Sequence, residues 1–118
     1  MLQFLDFTYG NIIATKAIGK LREEDMERVH ALIHSIIDSG QKVRWYFEME
    51  RFTGWDAEGL WEDLKIDLKH VNDYERIAMV GEKKWQDWMT QLMKPFTSAE
   101  IKYFDLTERE TAIAWMRK

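Results

Sequence analysis

Apolar residues recur along this chain in two rhythms, and the switches between them divide it into alternating strands and helices. Leu2 and Phe4 alternate with polar neighbours over residues 2–7, a turn follows at Tyr9-Gly10-Asn11, and residues 12–18 are rich in β-branched side chains. Two strands joined as a hairpin are expected there. Met26, Val29, Ile33, Ile36 and Ile37 then recur at spacings of three and four, which predicts a helix over 22–39 with one apolar face. Glu23, Glu24 and Asp25 occupy its first turn, where they complement the helix dipole, and Gly40 follows as a left-handed cap.

Residues 43–47 have strand composition. A second helix is expected over 56–71, with Leu60, Trp61, Leu64, Leu68 and Val71 inward, and a short apolar strand over 76–80 ends at Gly81. A third helix over 84–94 carries Trp85, Trp88, Met89, Leu92 and Met93 on one side. Pro95 stops it through its missing N–H and its restriction of Lys94. A last strand covers 101–104. The final helix opens at Thr107-Glu108-Arg109-Glu110, a capping box formed by Thr107 and Glu110, and buries Ala112, Ile113 and Met116 with Trp115 on its flank. The order is ββαβαβαβα. Strands separated by helices imply parallel neighbours, and the opening hairpin makes the sheet mixed. The expected architecture is α/β, a mixed sheet of about five strands with helices packed against it.

With 118 residues the chain reads as a single domain over residues 1–118. Its 46% hydrophobic and 32% charged content is that of a globular protein. No apolar run is long enough for a transmembrane segment and no signal peptide is legible, so a cytoplasmic location is expected. The absence of cysteine removes disulfides, thiolate nucleophiles and cysteine metal sites. Net charge is −4 and the basic residues are scattered, which argues against a nucleic-acid binder. The segment FTGWDAEGLWEDL, residues 52–64, leaves the predicted strand through a turn and enters an acidic, tryptophan-bearing helix. In an α/β protein the crevice outside the carboxyl end of a strand is the usual binding surface.

Each candidate residue has a plainer reading beside the functional one. Asp56 is first of all the N-cap of the second helix, and Glu58 complements the dipole of its first turn. Glu48, Glu50, Asp56, Glu58, Glu62 and Asp63 outnumber Arg51 in this stretch, so a cationic partner suits it better than an anionic ligand; a solvated helix face is the plainer account. Trp55 lies in the turn rather than on a periodic face, which makes it the preferred contact residue. Lys83 and Lys84 follow the strand over 76–80 and place positive charge across the crevice, with a weak surface pair as the plainer account. His30 and His34 share a helix face with Glu27 and Asp38, a spacing two metal ligands can use. The pattern lacks HExxH, so polar residues flanking the apolar stripe is the preferred reading. No catalytic, cofactor or metal signature is present: there is no Gly-rich phosphate loop and no GxSxG, and Ser35, Ser39 and Ser98 stand in no nucleophile context. The chain is therefore not expected to be an enzyme.

Several stretches resemble the SpoIIAA-like branch of the STAS superfamily, the fold of bacterial anti-sigma factor antagonists. They are Phe52-Thr53-Gly54-Trp55-Asp56, Leu60-Trp61-Glu62-Asp63-Leu64, Arg76-Ile77-Ala78-Met79-Val80-Gly81, Trp85, Lys94-Pro95-Phe96, Tyr103-Phe104-Asp105 and Ala114-Trp115. The resemblance implies a STAS-like fold, related to the lipid-binding lobe of CRAL-TRIO proteins, and a binding or regulatory role. The antagonists carry an Asp-Ser-Ser-Gly-Leu motif whose second serine is phosphorylated. Here Asp56-Ala57-Glu58-Gly59-Leu60 keeps the Asp, Gly and Leu but neither serine. Glu58 stands at the acceptor position with a fixed single charge, short of the about −1.5 to −2 of phosphoserine. The kinase-controlled switch is thus not carried over, and Thr53 does not match the acceptor position.

The expected function is docking of a protein partner through the Glu48 to Leu64 loop and helix, with Trp55 as apolar anchor and Asp56 and Glu58 as charged rim. The competing expectation is a carrier of a small apolar or lipid-like ligand between the sheet and the helix bearing Trp85 and Trp88, for which ordinary core packing is the plainer account. Six tryptophans and seven methionines are also enough apolar surface for a homodimer.

Overall fold

The computed structural model describes residues 1–55, 73–82 and 99–118, and for Glu23 and residues 52–55 the backbone alone. Five strands form one sheet: β1 (Leu2–Phe4), β2 (Ile12–Leu21), β3 (Val43–Trp55), β4 (Tyr74–Gly81) and β5 (Glu100–Asp105). Their spatial order follows the chain order. β1 pairs antiparallel with β2, and every later neighbour is parallel. The mixed α/β sheet expected from the alternation is therefore present. Two helices are described, α1 (Glu23–Asp38) and α2 (Arg109–Arg117). The helices expected over 56–71 and 84–94 lie outside the described residues. Among the described residues no helix is long and apolar enough to cross a membrane.

Period-two alternation sorts the strands onto two faces. Val43, Trp45, Phe47 and Met49 of β3 join Ile13, Ala17, Ile77 and Met79 beneath α1, which contributes Met26, Val29, Ile33 and Ile36. The opposite face of the same strands presents Ala14, Tyr46, Ala78, Val80 and Phe104 to Ala112, Trp115 and Met116 of α2. Burying the Trp45 indole requires a partner for its N–H. Thr15, itself buried, supplies it: Trp45 Nε1 donates to Thr15 Oγ1 at 3.0 Å.

The ends of α1 follow from local chemistry. The backbone N–H of Arg22 donates to Asp25 Oδ2 at 3.0 Å, so one of the first-turn acids closes the N-terminus. At the other end Gly40 takes φ +85°, where an L side chain is strained. Its N–H reaches Ile37 O at 2.9 Å and that of Gln41 reaches Ile36 O at 3.3 Å, a Schellman closure.

The last helix departs from expectation in two ways. Its capping box sits two residues upstream of the predicted one. Asp105 Oδ2 accepts from the Thr107 N–H at 3.1 Å, Glu108 Oε1 accepts from the Asp105 N–H at 3.0 Å, and a 3-10 turn (Leu106–Glu108) precedes α2. The Thr107 hydroxyl is spent as a donor to Asp105 at 2.9 Å. A carboxylate is the stronger acceptor for backbone N–H, and it takes the frame. The second difference is Trp115, which is buried while Ile113 is only half-buried. Its ring lies 5.4 Å from the Arg76 guanidinium and 5.0 Å from the Lys102 ammonium, so basic positions on β4 and β5 hold it against the sheet. Arg76 also donates to Trp115 O at 2.8 Å and Arg44 to Met116 O at 3.0 Å, supplying cations to the carbonyl end of α2. Arg44 is itself oriented by two 3.0 Å bonds to Glu75.

Met116 is fully buried on the side of α2 that packs against the sheet. Met116→Ala is expected to lower the unfolding free energy by about 2–5 kcal/mol. Urea denaturation measures this, and a loss below about 0.5 kcal/mol, the range of an ordinary surface substitution, would show that α2 does not pack on this face.

Candidate functional site

Glu48 interrupts an otherwise apolar run in β3, and alternation puts it on the α2 face with Tyr46. Only 1% of its surface is exposed. An ionised carboxylate so placed costs several kcal/mol unless charges and donors surround it. Three groups do so. The Tyr46 hydroxyl, two residues back on the same face, donates to Glu48 Oε1 at 2.6 Å. Arg109 Nε, at the start of α2, donates to the same oxygen at 2.8 Å. Lys16, the cross-strand neighbour on β2, brings its Nζ to 3.7 Å from Oε2. Burial first, and then the hydrogen bond and negative charge of Glu48, push the Tyr46 phenol far above its ordinary range; Arg109 opposes them only in part.

This cluster marks the carboxyl end of the sheet. Glu48 pairs with Val80 in the last register step between β3 and β4, and α2 starts from the same end. Beyond it β2 and β3 continue as a two-stranded ribbon. Two register shifts there leave Arg51 and Thr53 without a partner on β2: Ile18 pairs with Glu50, Gly19 with Phe52, Lys20 with Gly54 and Leu21 with Trp55. Gly19 takes φ +65° and Arg51 φ +52°. Such bulges bend a strand and turn its side chains to new directions. Glu50 also pairs with Lys16. The hydrogen bond and charge of Lys16, then the charges of Arg51 and Arg109, hold the Glu50 carboxyl below the usual range.

Of the residues expected to bind, Trp55 has a described backbone: it is the last residue of β3, paired with Leu21, and belongs to the strand rather than to a turn. The predicted strand over 43–47 stopped short because Glu48, Glu50 and Arg51 broke its apolar signal. Asp56, Glu58, Lys83, Lys84 and Trp85 lie outside the described residues. The acidic stretch beginning at Glu48 is not bare: its first two carboxylates are neutralised inside the molecule by Lys16 and Arg109. His30 is half-buried and His34 exposed on α1. Among the described residues no group of three His, Asp or Glu side chains is arranged to hold a metal ion. Sequence reasoning passed over Tyr46, Lys16 and Arg109. The one available signal was the charge of Glu48 itself, set amid apolar alternation.

A family profile described as SpoIIAA-like matches residues 12–117. Among solved structures, the chain is similar to an uncharacterized protein of the DUF3478 family with a SpoIIAA-like fold from Shewanella loihica PV-4. The two share 27% sequence identity and a TM-score of 0.67, over 98% of this chain and 92% of that one. No match is found among curated proteins.

The raised affinity of Tyr46 for its proton has a definite sign. Its contribution to stability is fully present below the ordinary tyrosine value of 10.0 and is lost as pH rises from there toward the folded value. Unfolding of the wild type is expected to ease above pH about 10, and Tyr46→Phe is expected to remove that part of the alkaline slope. Urea unfolding of both proteins across that range is the check, and an identical alkaline slope in the two would contradict the assignment.

Proposed function

The chain belongs to the SpoIIAA-like family, and from that premise we propose that it is a non-enzymatic regulatory or binding domain that docks a protein partner at the carboxyl end of its sheet. The docking surface is the segment from Glu48 to Leu64, with Trp55 as its apolar anchor and Asp56 and Glu58 at its rim. Lys83, Lys84 and Trp85, which follow β4, complete the opposite side. One observation supports this reading above others: β2 and β3 stay paired beyond the last β3–β4 pair, so the chain carries Trp55 past the end of the β3–β4 ladder. That end is where open α/β sheets bind their ligands. The ribbon is anchored at its root by the buried Glu48 cluster, and a surface on a rigid base loses little conformational freedom on binding. The whole of residues 1–118 acts as one domain in this reading, and the lack of cysteine suits a reducing compartment such as the cytoplasm.

Trp55→Ala and Glu58→Lys, each with unchanged thermal unfolding, are expected to lose the proteins that the wild-type chain retains from its native lysate, measured by quantitative affinity capture. Unchanged capture by both would end the assignment of this surface. Native mass spectrometry of the purified chain separates the rival role of apolar-ligand carrier. A bare monomer or dimer mass agrees with docking, and a co-purified amphiphile would favour the carrier.

A further inference from the structure

The sheet begins at β1, which pairs with β2 on one side and, among the described residues, with no strand on the other. Two bonds fix the direction of its backbone groups. Ile18 N–H donates to Met1 O at 2.9 Å, and Leu5 N–H donates to Ala14 O at 2.8 Å. Along an antiparallel pair, residues alternate between exchanging bonds with the partner strand and pointing away from it. Residues 1 and 5 face β2, so Leu2 and Phe4 turn their N–H and C=O groups to the open edge.

Such an edge is a template for another strand, and proteins blunt it with short length, charge, proline or a bulge. β1 is short, at three residues, but brings none of the other devices. Every side chain from Met1 to Leu5 is uncharged, and there is no proline among them. At the far end of the strand order β5 exposes Glu100 and Lys102 of its own.

For β1 the charge comes from α1. Arg28 Nη2 donates to Leu2 O, the outward carbonyl, at 2.7 Å, and the guanidinium carbon lies 5.3 Å from the centroid of the Phe4 ring. Asp25, one helical turn earlier, aims it. Its Oδ1 accepts from Arg28 Nη2 at 3.3 Å while its Oδ2 holds the Arg22 N–H at 3.0 Å. The Arg28 side chain is still 54% exposed, so the cation keeps much of its water. An incoming strand has to take Leu2 O from a charged donor and strip water from the cation, and a neutral N–H repays neither.

We infer that Arg28 is an edge guard, which occupies the outward carbonyl of Leu2 and so keeps a second copy of this chain from adding its β1 to the sheet. A second copy is the strand to exclude because the open edge is self-complementary. Two β1 strands related by a two-fold axis run antiparallel and offer each other the same outward groups of Leu2 and Phe4. The guard does not depend on the docking surface.

Arg28→Met tests it, since methionine keeps an apolar stem over Phe4 while the charge and the donors are gone. Sedimentation equilibrium of the full chain gives the self-association constant, and amide hydrogen exchange followed by NMR reads the Phe4 N–H. In the wild type that exchange should not depend on protein concentration. Arg28→Met is expected to raise the association constant at least about tenfold, with Phe4 exchange slowing as concentration rises. Arg28→Lys, which keeps a cation on the rim, should associate as weakly as the wild type. A lower thermal midpoint for Arg28→Met with unchanged association would reduce the contact to a tie between β1 and α1 and overturn the guard. Association that leaves Phe4 exchange unchanged would overturn it as well.

Discussion

A carboxylate with almost no exposed surface sits on the central strand of a mixed sheet, and much of the described molecule is arranged to make that tolerable. Glu48 needs charge and donors that its own strand cannot supply in full. Tyr46 comes from the same strand, Lys16 from the neighbouring strand and Arg109 from the first turn of the last helix. Three parts of the chain therefore meet at one oxygen pair. A hydrophobic residue of similar volume would fill the site at less electrostatic cost. What the carboxylate does instead is tie the start of α2 to β3 at the root of the β2–β3 ribbon.

From that root the mechanics run outward. β2 and β3 remain paired beyond the last β3–β4 pair, and two bulges bend the pair where Arg51 and Gly19 take left-handed backbone. A regular ribbon would continue the pleat and send residues 52–55 to faces set by strict alternation. The bulges break that alternation, while Phe52, Gly54 and Trp55 stay paired with β2.

The apolar rhythm made the sheet readable. Val43, Trp45 and Phe47 announced β3, and Met26, Val29, Ile33 and Ile36 announced α1, because each set faces one core and nothing else competes for it. Beyond Phe47 the strand was illegible: Glu48, Glu50 and Arg51 look like the start of a solvated loop until Lys16 and Arg109 are placed beside them. Arg109 is separated from Glu48 by 61 positions, and no local pattern encodes a contact of that span. The capping box failed for a different reason. Thr107 with Glu110 and Asp105 with Glu108 offer overlapping frames at the same spacing, and the stronger carboxylate acceptor decided between them. Trp115 was set on the flank of α2 because its burial depends on Arg76 and Lys102, cations delivered by the register of two other strands.

Coupling between Glu48 and Arg109 is the quantity on which this account stands. A double-mutant cycle with Glu48→Gln, Arg109→Gln and the double variant, read by urea unfolding, isolates it. The account predicts a coupling of about 1–3 kcal/mol, with the double variant losing less stability than the sum of the two single losses. Additive losses, within about 0.5 kcal/mol, would mean that the buried carboxylate does not depend on Arg109 and that the carboxyl edge is not organised by their contact.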